Sequence, residues 1–351
     1  MTVQRIVFTL FIALLLCLHT APGQQPLPAV PPTSHDIRLD VFVDTKSGQP
    51  VTKLTRQNFT VLDNKNPRPI TSFKVMTPAD EPVSVIVLVD AVNSPFQLVT
   101  RSRDGIDKFL KANEGQLAYP TAVAVLTDQG IEMGNSFFTD GNALSDALDH
   151  HAIGLRQITR NSQWSGSERL RISLNAFQEL IRFASSLPGR KIVIWVSPGW
   201  PIIPGLGVDS LREEQEIFDE IVDVSTRLRQ IDLTLYNVNP IGVAESLDRA
   251  DYYEAFLKGI SKPNQVKIAN LGLQVFAVHS GGLALESNSD VTAMIQTCLA
   301  DAQSWYRIAF DPLAADKPNE YHHIEIKVDQ PGFVVRTSDG YYANPVAVTP
   351  R

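Results

Sequence analysis

The stretch Val83-Ser84-Val85-Ile86-Val87-Leu88-Val89-Asp90-Ala91-Val92-Asn93-Ser94-Pro95 decides the fold that this sequence predicts. Every residue from 83 to 89 except Ser84 is apolar, and most are β-branched, which is typical of a strand buried on both faces of a parallel sheet. Asp90 ends this run, and Ser94-Pro95 opens a segment with helical spacing, in which Ser94 is predicted to be the N-cap. Open α/β folds place ligand chemistry at the carboxyl end of such a central strand.

Further apolar runs outward from this stretch predict the rest of the sheet, at residues 122–126, 192–196, 231–236 and 273–278. Helical patterns lie between most of these runs, at residues 96–110, 170–183 and 210–228. Because the predicted strands alternate with helices, we expect an α/β fold with a doubly wound, mostly parallel sheet. The turn Thr127-Asp128-Gln129-Gly130 predicts one antiparallel hairpin in this sheet, at an edge.

Short strands with alternating polarity flank this central region, three before it and three after it. They are predicted at residues 37–43, 59–63, 70–75, 305–310, 322–328 and 333–336. Neither set alone could form more than a thin core. We therefore predict a small antiparallel β-sandwich built from the N-terminal segment 35–78 and the C-terminal segment 304–346, into which the α/β domain 82–303 is inserted.

The N-terminus has the pattern of a secretory signal peptide at residues 1–23, followed by a proline-rich linker at residues 24–34. The same apolar run could instead be retained as an anchor, although it is short for a bilayer span. With the signal peptide removed, we expect no membrane span and a secreted or periplasmic, extracytoplasmic location. Cys298 is then the only cysteine, and the helical spacing of its apolar neighbours predicts a core position.

Composition and charge indicate the size of the core and exclude one class of partner. The chain has 351 residues, of which 44% are hydrophobic and 20% charged, so a large core is expected. Its net charge is −7, and it has no cluster of lysine and arginine of the kind that binds phosphate backbones. We therefore predict no nucleic-acid partner.

Five stretches make the chain resemble the von Willebrand factor type A domain, and more closely the related proteins described from Acidobacteria. Their order and spacing match the family from residue 36 to residue 346. The stretches are Asp40-Val41-Phe42-Val43-Asp44 with Gly48-Gln49-Pro50-Val51 and Leu54-Thr55-Arg56-Gln57-Asn58-Phe59, Pro69-Ile70-Thr71-Ser72-Phe73, residues 83–94, Pro188-Gly189-Arg190-Lys191 with Ser197-Pro198-Gly199, and Arg336-Thr337-Ser338-Asp339-Gly340-Tyr341-Tyr342-Ala343.

The resemblance implies a divalent cation, commonly Mg²⁺, at a D-x-S-x-S motif, with a threonine from a second loop and an aspartate after the fourth strand. Asp90 and Ser94 match the motif and would be the metal ligands, and Ser165 or Ser167 could serve in place of the threonine. Val92 stands where the motif has its first serine, and Pro198 replaces the aspartate. Because Mg²⁺ requires oxygen ligands, we predict a degenerate adhesion-type site with no cofactor or only weakly bound Mg²⁺.

Catalytic motifs of the metalloprotease, α/β-hydrolase and Walker types are lacking in the sequence. His322-His323-Ile324-Glu325 could suggest metal ligands. Alternation along a strand places His322 with Ile324 on one face and His323 on the other, so ordinary strand positions are the simpler interpretation.

The resemblance and the degenerate motif together predict a secreted, non-catalytic module that binds a protein or surface ligand. Its expected ligand face is the strand-end region, where Trp164, Trp200 and Pro201 would add apolar contacts. The residues expected on this face are Asp90, Ser94, Ser165, Ser167, Ser197 and Gly199. Two alternatives remain open from the sequence, namely an extracytoplasmic hydrolase with an unrecognised site and a structural component of the envelope.

Overall fold

The computed structural model describes residues 36–134, 136–150, 163–201, 208, 210–242 and 252–345. The predicted signal peptide and linker lie outside these residues. The N-terminal strands are β1 (Ile37–Thr45), β2 (Phe59–Asp63), β3 (Asn66–Arg68) and β4 (Ile70–Met76). The central elements are β5 (Val83–Asp90), α1 (Phe96–Lys111), β6 (Gln116–Thr127), β7 (Gly130–Met133), β8 (Phe138–Asp140), α2 (Gly141–His150), α3 (Gln163–Ser185), β9 (Arg190–Val196), α4 (Leu211–Gln230), β10 (Leu233–Val238), α5 (Leu273–His279), β11 (Ala284–Leu285) and α6 (Val291–Ala300). The C-terminal strands are β12 (Trp305–Phe310), β13 (Glu320–Val328), β14 (Phe333–Arg336) and β15 (Gly340–Ala343).

The strands of the central sheet are mostly parallel and are connected mainly through helices. Their order is β11-β10-β9-β5-β6-β7, with β8 paired to β6. Its middle strand β5 runs parallel to both neighbours, with Val87 opposite Ile194 of β9 and Val123 of β6. The five residues from Val85 to Val89 are completely buried. The predicted central strand is therefore confirmed, and so is the antiparallel hairpin, since β7 pairs back onto β6.

Helices cover both faces of this sheet, and the alternation of side chains along β5 assigns each face to a separate core. Ile86 and Leu88 pack in one apolar cluster with Phe177 of α3 and Phe218 of α4. Val85, Val87 and Val89 point the other way and pack in a second cluster that contains residues of α1 and α6, among them Val99, Ile106, Ile295 and Cys298. Cys298 is fully buried, as predicted, and burial raises the pKa of its thiol well above the usual range.

One predicted strand is wrong. Residues 273–278 form the short helix α5, and the sheet instead ends in the two-residue strand β11. The residues of α5 from Leu273 to Ala277 are all buried, so the run shows neither the period of a strand nor that of an amphipathic helix. Periodicity cannot separate a buried strand from a buried helix of this length.

Two four-stranded antiparallel sheets accompany the parallel one, with strand orders β14-β1-β12-β4 and β15-β13-β2-β3. Each contains two strands from the N-terminal segment and two from the C-terminal segment. Side chains of both sheets meet in one apolar cluster, which includes Val41 of β1, Val61 of β2, Ile308 of β12 and Ile324 of β13. Within the described residues, no helix combines the length and the hydropathy that a bilayer span requires.

Candidate functional site

Asp90 is the last residue of β5, at the centre of the carboxyl edge of the parallel sheet, and its side chain is completely buried. The turn that follows wraps around its carboxylate. Oδ1 accepts hydrogen bonds from the backbone N–H groups of Val92, at 3.0 Å, and Asn93, at 2.8 Å. The backbone after β5 is thus fixed by the carboxylate itself.

The second carboxylate oxygen of Asp90 is held by three side chains. Oδ2 accepts hydrogen bonds from Asn93 Nδ2 at 2.8 Å, Trp195 Nε1 at 3.0 Å and Ser197 Oγ at 2.9 Å. Trp195 belongs to β9 and Ser197 follows it, so Asp90 links two neighbouring strands. A carboxylate offers about four lone-pair sites, and five donors already use them.

Burial raises the pKa of the Asp90 carboxyl above its ordinary value, because desolvation disfavours the charged form. The hydrogen bonds from Asn93, Trp195 and Ser197 act in the opposite direction but do not cancel the effect of burial. Proton uptake at Asp90 is therefore easier in the folded protein than in the unfolded chain.

Asn93 connects this turn to α3. Its Nδ2 also donates a hydrogen bond to Ser173 Oγ at 2.8 Å, and that hydroxyl donates to the carbonyl of Arg169 one turn earlier in α3. Sequence reasoning missed the roles of Asn93, Ser173 and Trp195. The role of Asn93 could have been found from the sequence, because this residue lies inside the recognised motif. No local pattern places Ser173 or Trp195 beside Asp90.

The structure distributes the predicted ligand-face residues over several environments. Ser94 and Ser197 are 1% and 0% exposed, so a partner cannot touch them, or Asp90, without a rearrangement. Pro95, not Ser94, holds the N-cap position of α1, which corrects the predicted cap. Ser167 lies exposed on α3, and the side chain of Ser165 is outside the described residues. From α3 it is Ser173 that reaches Asn93.

The loop after β9 is close-packed at Gly199, which is half-buried with φ at +107°. An added Cβ would lie 2.2 Å from Gln274 Nε2, which itself donates to the Pro198 carbonyl at 3.3 Å. Trp200 is only 4% exposed and makes edge contacts with Phe177 and Trp195, so it is a core residue and not an interface anchor. The side chain of Trp164 is outside the described residues.

The residues at this position do not fit the divalent cation that the resemblance implies. Val92 is 3% exposed and packs in the apolar cluster with Leu88 and Trp195. Pro198 offers no carboxylate, and the lone pairs of Asp90 are engaged by donors of the protein. A cation would have to displace hydrogen bonds from a buried group without gaining the lost ligands.

His322 is a buried, hydrogen-bonded histidine of β13. Its Nδ1 lies 2.9 Å from Asp63 Oδ1 and 3.1 Å from the Tyr341 hydroxyl, which donates to Asp63 Oδ2 at 2.7 Å. His323, the next residue, is exposed on the opposite face. The predicted alternation along this strand is confirmed.

Several residues of the recognised stretches lie between the parallel sheet and the sheet that contains β1. The guanidinium groups of Arg190 and Arg336 lie 4.8 and 5.2 Å from the ring centroid of Phe42. Arg336 forms two hydrogen bonds with Asp301, at 2.6 and 3.0 Å, and Arg190 donates to the Asp301 carbonyl at 2.6 Å. These residues therefore join two layers of the protein.

Exposed apolar side chains occur at the carboxyl edge of the parallel sheet. Phe96 follows β5 and is 65% exposed, and Leu211 begins the helix after β9 and is 83% exposed. Ile241 follows β10 and is 48% exposed. Because β10, β9 and β5 are neighbours, the three residues belong to adjacent connections on one edge. We call them the edge triad.

No protein-family model matches the chain, and the search of curated proteins found no match. Solved structures that are similar to parts of it include the following three. A single-residue mutant of the PilB minor pilin from Streptococcus sanguinis is 10% identical with a TM-score of 0.33, and the match covers 67% of this chain and 65% of the pilin chain. A von Willebrand factor type A protein from Catenulispora acidiphila is 11% identical with a TM-score of 0.29, covering 89% and 75%. The manganese-loaded Plasmodium vivax TRAP protein is 10% identical with a TM-score of 0.29, covering 76% and 96%.

Proposed function

We propose that the chain is an extracytoplasmic, non-catalytic protein-binding module that contacts its partner through the carboxyl edge of the parallel sheet. The observation that carries this proposal is the edge triad. Exposed apolar groups on a folded surface mark contact sites when they are grouped, whereas scattered ones need no explanation. Phe96, Leu211 and Ile241 are exposed in the connections after three neighbouring strands, at one edge of the sheet, although α1 and α4 cover opposite faces of it.

The proposed partner is a protein with an apolar contact patch. An aromatic ring and two aliphatic side chains match the composition of protein interface cores, which are poor in charged residues. The proposed ligand face lies at the same edge of the sheet as the one expected from the sequence. Its contact residues are the edge triad, because Asp90, Ser94 and Ser197 are buried. Gly199, half-buried in the loop after β9, borders this edge.

A non-catalytic role is part of the proposal. Asp90 is the carboxylate at the position where open α/β folds place their chemistry. Its five donors leave it no lone pair with which to act as a general base or a metal ligand. In the proposed function, Asp90 holds the turn after β5 in place, and that turn leads directly to Phe96.

We also interpret the two antiparallel sheets as one sandwich, into which a von Willebrand factor type A-like domain is inserted. The shared apolar cluster and the mixture of N- and C-terminal strands in each sheet support this interpretation. In this arrangement the contact edge belongs to the inserted domain.

The test compares two triple variants in capture from an envelope extract of the source organism. The first variant is Phe96→Ser/Leu211→Ser/Ile241→Ser. The matched control removes three exposed apolar side chains elsewhere, Val75→Ser/Phe138→Ser/Val334→Ser. We expect the immobilised wild type and the control to capture the same discrete protein, and the edge-triad variant to lose at least nine-tenths of it. Equal capture by all three proteins would reject the contact edge.

A further inference from the structure

A groove lies at the amino-terminal edge of the parallel sheet, between the end of α1, the first residues of β6 and the turn after α6. β6 begins before its pairing with β5, which starts at Thr121. We call this surface the amide groove, and its volume is about 250 Å³. Among the described residues that line it, none is charged. Four of them carry a primary amide, namely Asn113, Gln116, Gln296 and Gln303.

The fold does not use the polar side chains of this groove. In the described part of the chain, the four amides and the Tyr119 hydroxyl have no hydrogen-bond partner within the protein. Amides elsewhere are engaged, as in the bond from Gln178 Nε2 to Glu220 at 2.7 Å. An unpaired amide offers two donors and an acceptor. Several such groups around one groove can pair with a ligand that has both donors and acceptors.

Apolar side chains form the floor of the amide groove. Phe109 is only 8% exposed, and Leu117 and Leu299 are partly buried against the same core cluster. A few polar groups around an apolar floor are typical of sites for small ligands. A compact ligand could place its C–H groups on this floor and its polar groups against the amides.

The turn that carries Asn113 is strained. Asn113 and Glu114 have φ at +49° and +59°, in the left-handed region, where side chains other than glycine are rarely found. Asn142 of α2 fixes this turn, since its Nδ2 donates to the Glu114 carbonyl at 3.3 Å. Strain that the surrounding structure maintains is found preferentially at ligand sites. Here it holds the Asn113 amide at the rim of the groove.

We propose that the amide groove binds a neutral saccharide. Sugar hydroxyls both donate and accept hydrogen bonds, as the amides do, and the C–H face of a sugar ring matches the floor at Phe109 and Leu117. A sugar acid would lose hydration from its charge without meeting a cation in the described lining. The volume lies below the roughly 300–1,000 Å³ of sites for drug-sized ligands, so a sugar ring or a disaccharide fits better than a peptide segment.

The test screens the purified protein on an array of neutral and acidic glycans, and calorimetry then measures the affinity for the best neutral one. Gln296→Met/Gln303→Met keeps the length of both side chains but removes their amides, and it should bind at least tenfold more weakly. The matched control Gln129→Met/Gln230→Met removes two exposed amides outside the groove and should bind as the wild type does. Binding to no neutral glycan, or equal affinities in the two double variants, would overturn the proposal.

Thermal unfolding separates a lost contact from a lost fold. Both double variants should keep the Tm of the wild type without ligand, because all four side chains are exposed. The glycan should raise the Tm of the wild type and of the control more than that of Gln296→Met/Gln303→Met. Equal Tm shifts in all three proteins would place the glycan elsewhere and reject the amide groove.

Asn113→Gly gives an independent check. Glycine adopts a positive φ without strain, so this variant should keep or exceed the Tm of the wild type while it binds the glycan more weakly. Unchanged binding in Asn113→Gly would contradict the role of the turn. Competition experiments then identify the source of the sugar. Competition by monosaccharides indicates a free sugar, and competition by longer chains alone indicates a polysaccharide.

Discussion

At the scale of single residues, Asn93 Nδ2 lies 2.8 Å from both Asp90 Oδ2 and Ser173 Oγ. An amide nitrogen therefore stands between two oxygen atoms from different elements, and it links them through hydrogen bonds instead of coordination. Its N–H groups suit this position because both neighbouring atoms are acceptors. The turn after β5 is held by donors of the protein.

The first prediction concerns metal binding. We expect isothermal calorimetry of the wild type with Mg²⁺ or Mn²⁺ at low-millimolar concentration to show only heats of dilution, because Asp90 is saturated and Val92 and Pro198 supply no ligand. Asp90→Ala serves as the control. A saturable isotherm in the wild type that disappears in Asp90→Ala would reject this account of the site.

The second prediction concerns Asp90→Asn and pH. The folded state keeps the Asp90 proton to a higher pH than the unfolded chain does, since burial raises the pKa of this carboxyl. Its contribution to the free energy of unfolding is present at low pH and is lost as pH rises through the folded-state pKa. The difference between wild type and Asp90→Asn should therefore change as pH rises above the ordinary carboxyl pKa of about 4. At neutral pH the variant should be less stable by about 2 kcal/mol, because its amide faces the Trp195 and Asn93 donors.

Denaturant titrations at several pH values measure both effects. Ser197→Ala, which removes a single donor to Asp90, should cost about 1 kcal/mol and should shift the pH profile to higher pH, because the hydrogen bond that it removes lowers the Asp90 pKa. Parallel stability profiles for the wild type and Asp90→Asn would show that Asp90 has an ordinary pKa.

At the scale of elements, the loops after β5 and β9 are shaped by close contacts that no helix or strand pattern encodes. Gly199 turns the chain with a positive φ beside Gln274 of α5. α5 therefore packs against this loop, although its run of apolar residues resembles the sequence of a strand. The position of this loop depends on a helix that begins more than seventy residues later in the chain.

The third prediction tests this loop with Gly199→Ala. We expect a loss of about 1–3 kcal/mol in the free energy of unfolding, because alanine at this φ is strained and its Cβ meets Gln274. Gly134→Ala is the matched control, since its added Cβ would meet nothing within 4 Å. Equal stabilities of the two variants in urea titrations would mean that the loop relaxes without cost.

At the scale of the whole molecule, charged residues join the parallel sheet to the sheet of β1, β12 and β14. Asp301 accepts from Arg336 and also from the Tyr236 hydroxyl at 2.6 Å, and only 4% of its side chain is exposed. β1 pairs with β12, which lies more than 250 positions later in the sequence. The contacts between these two layers therefore form only when the N-terminal and C-terminal segments come together. The layers should consequently unfold together.

The fourth prediction is that Arg336→Met destabilises the protein by about 3–5 kcal/mol, since it leaves the Asp301 carboxylate buried without its cation. Arg212→Met removes a cation from an exposed pair on α4 and should leave stability nearly unchanged. Calorimetric scans of both variants provide the measurement. A small loss of stability in Arg336→Met, or two separate unfolding transitions in the wild type, would contradict the prediction that the two layers unfold together.

The sequence by itself determined the central strand, the parallel sheet with one hairpin, the burial of Cys298 and the departure of Val92 and Pro198 from a cation motif. These features depend on local composition and on the period of side chains along one element. Tertiary structure alone decided that Trp195 and Ser173 complete the Asp90 network, that residues 273–278 are helical and that Trp200 is buried. It also decided the exposure of Phe96, Leu211 and Ile241, because contacts between residues far apart in the chain leave no local pattern.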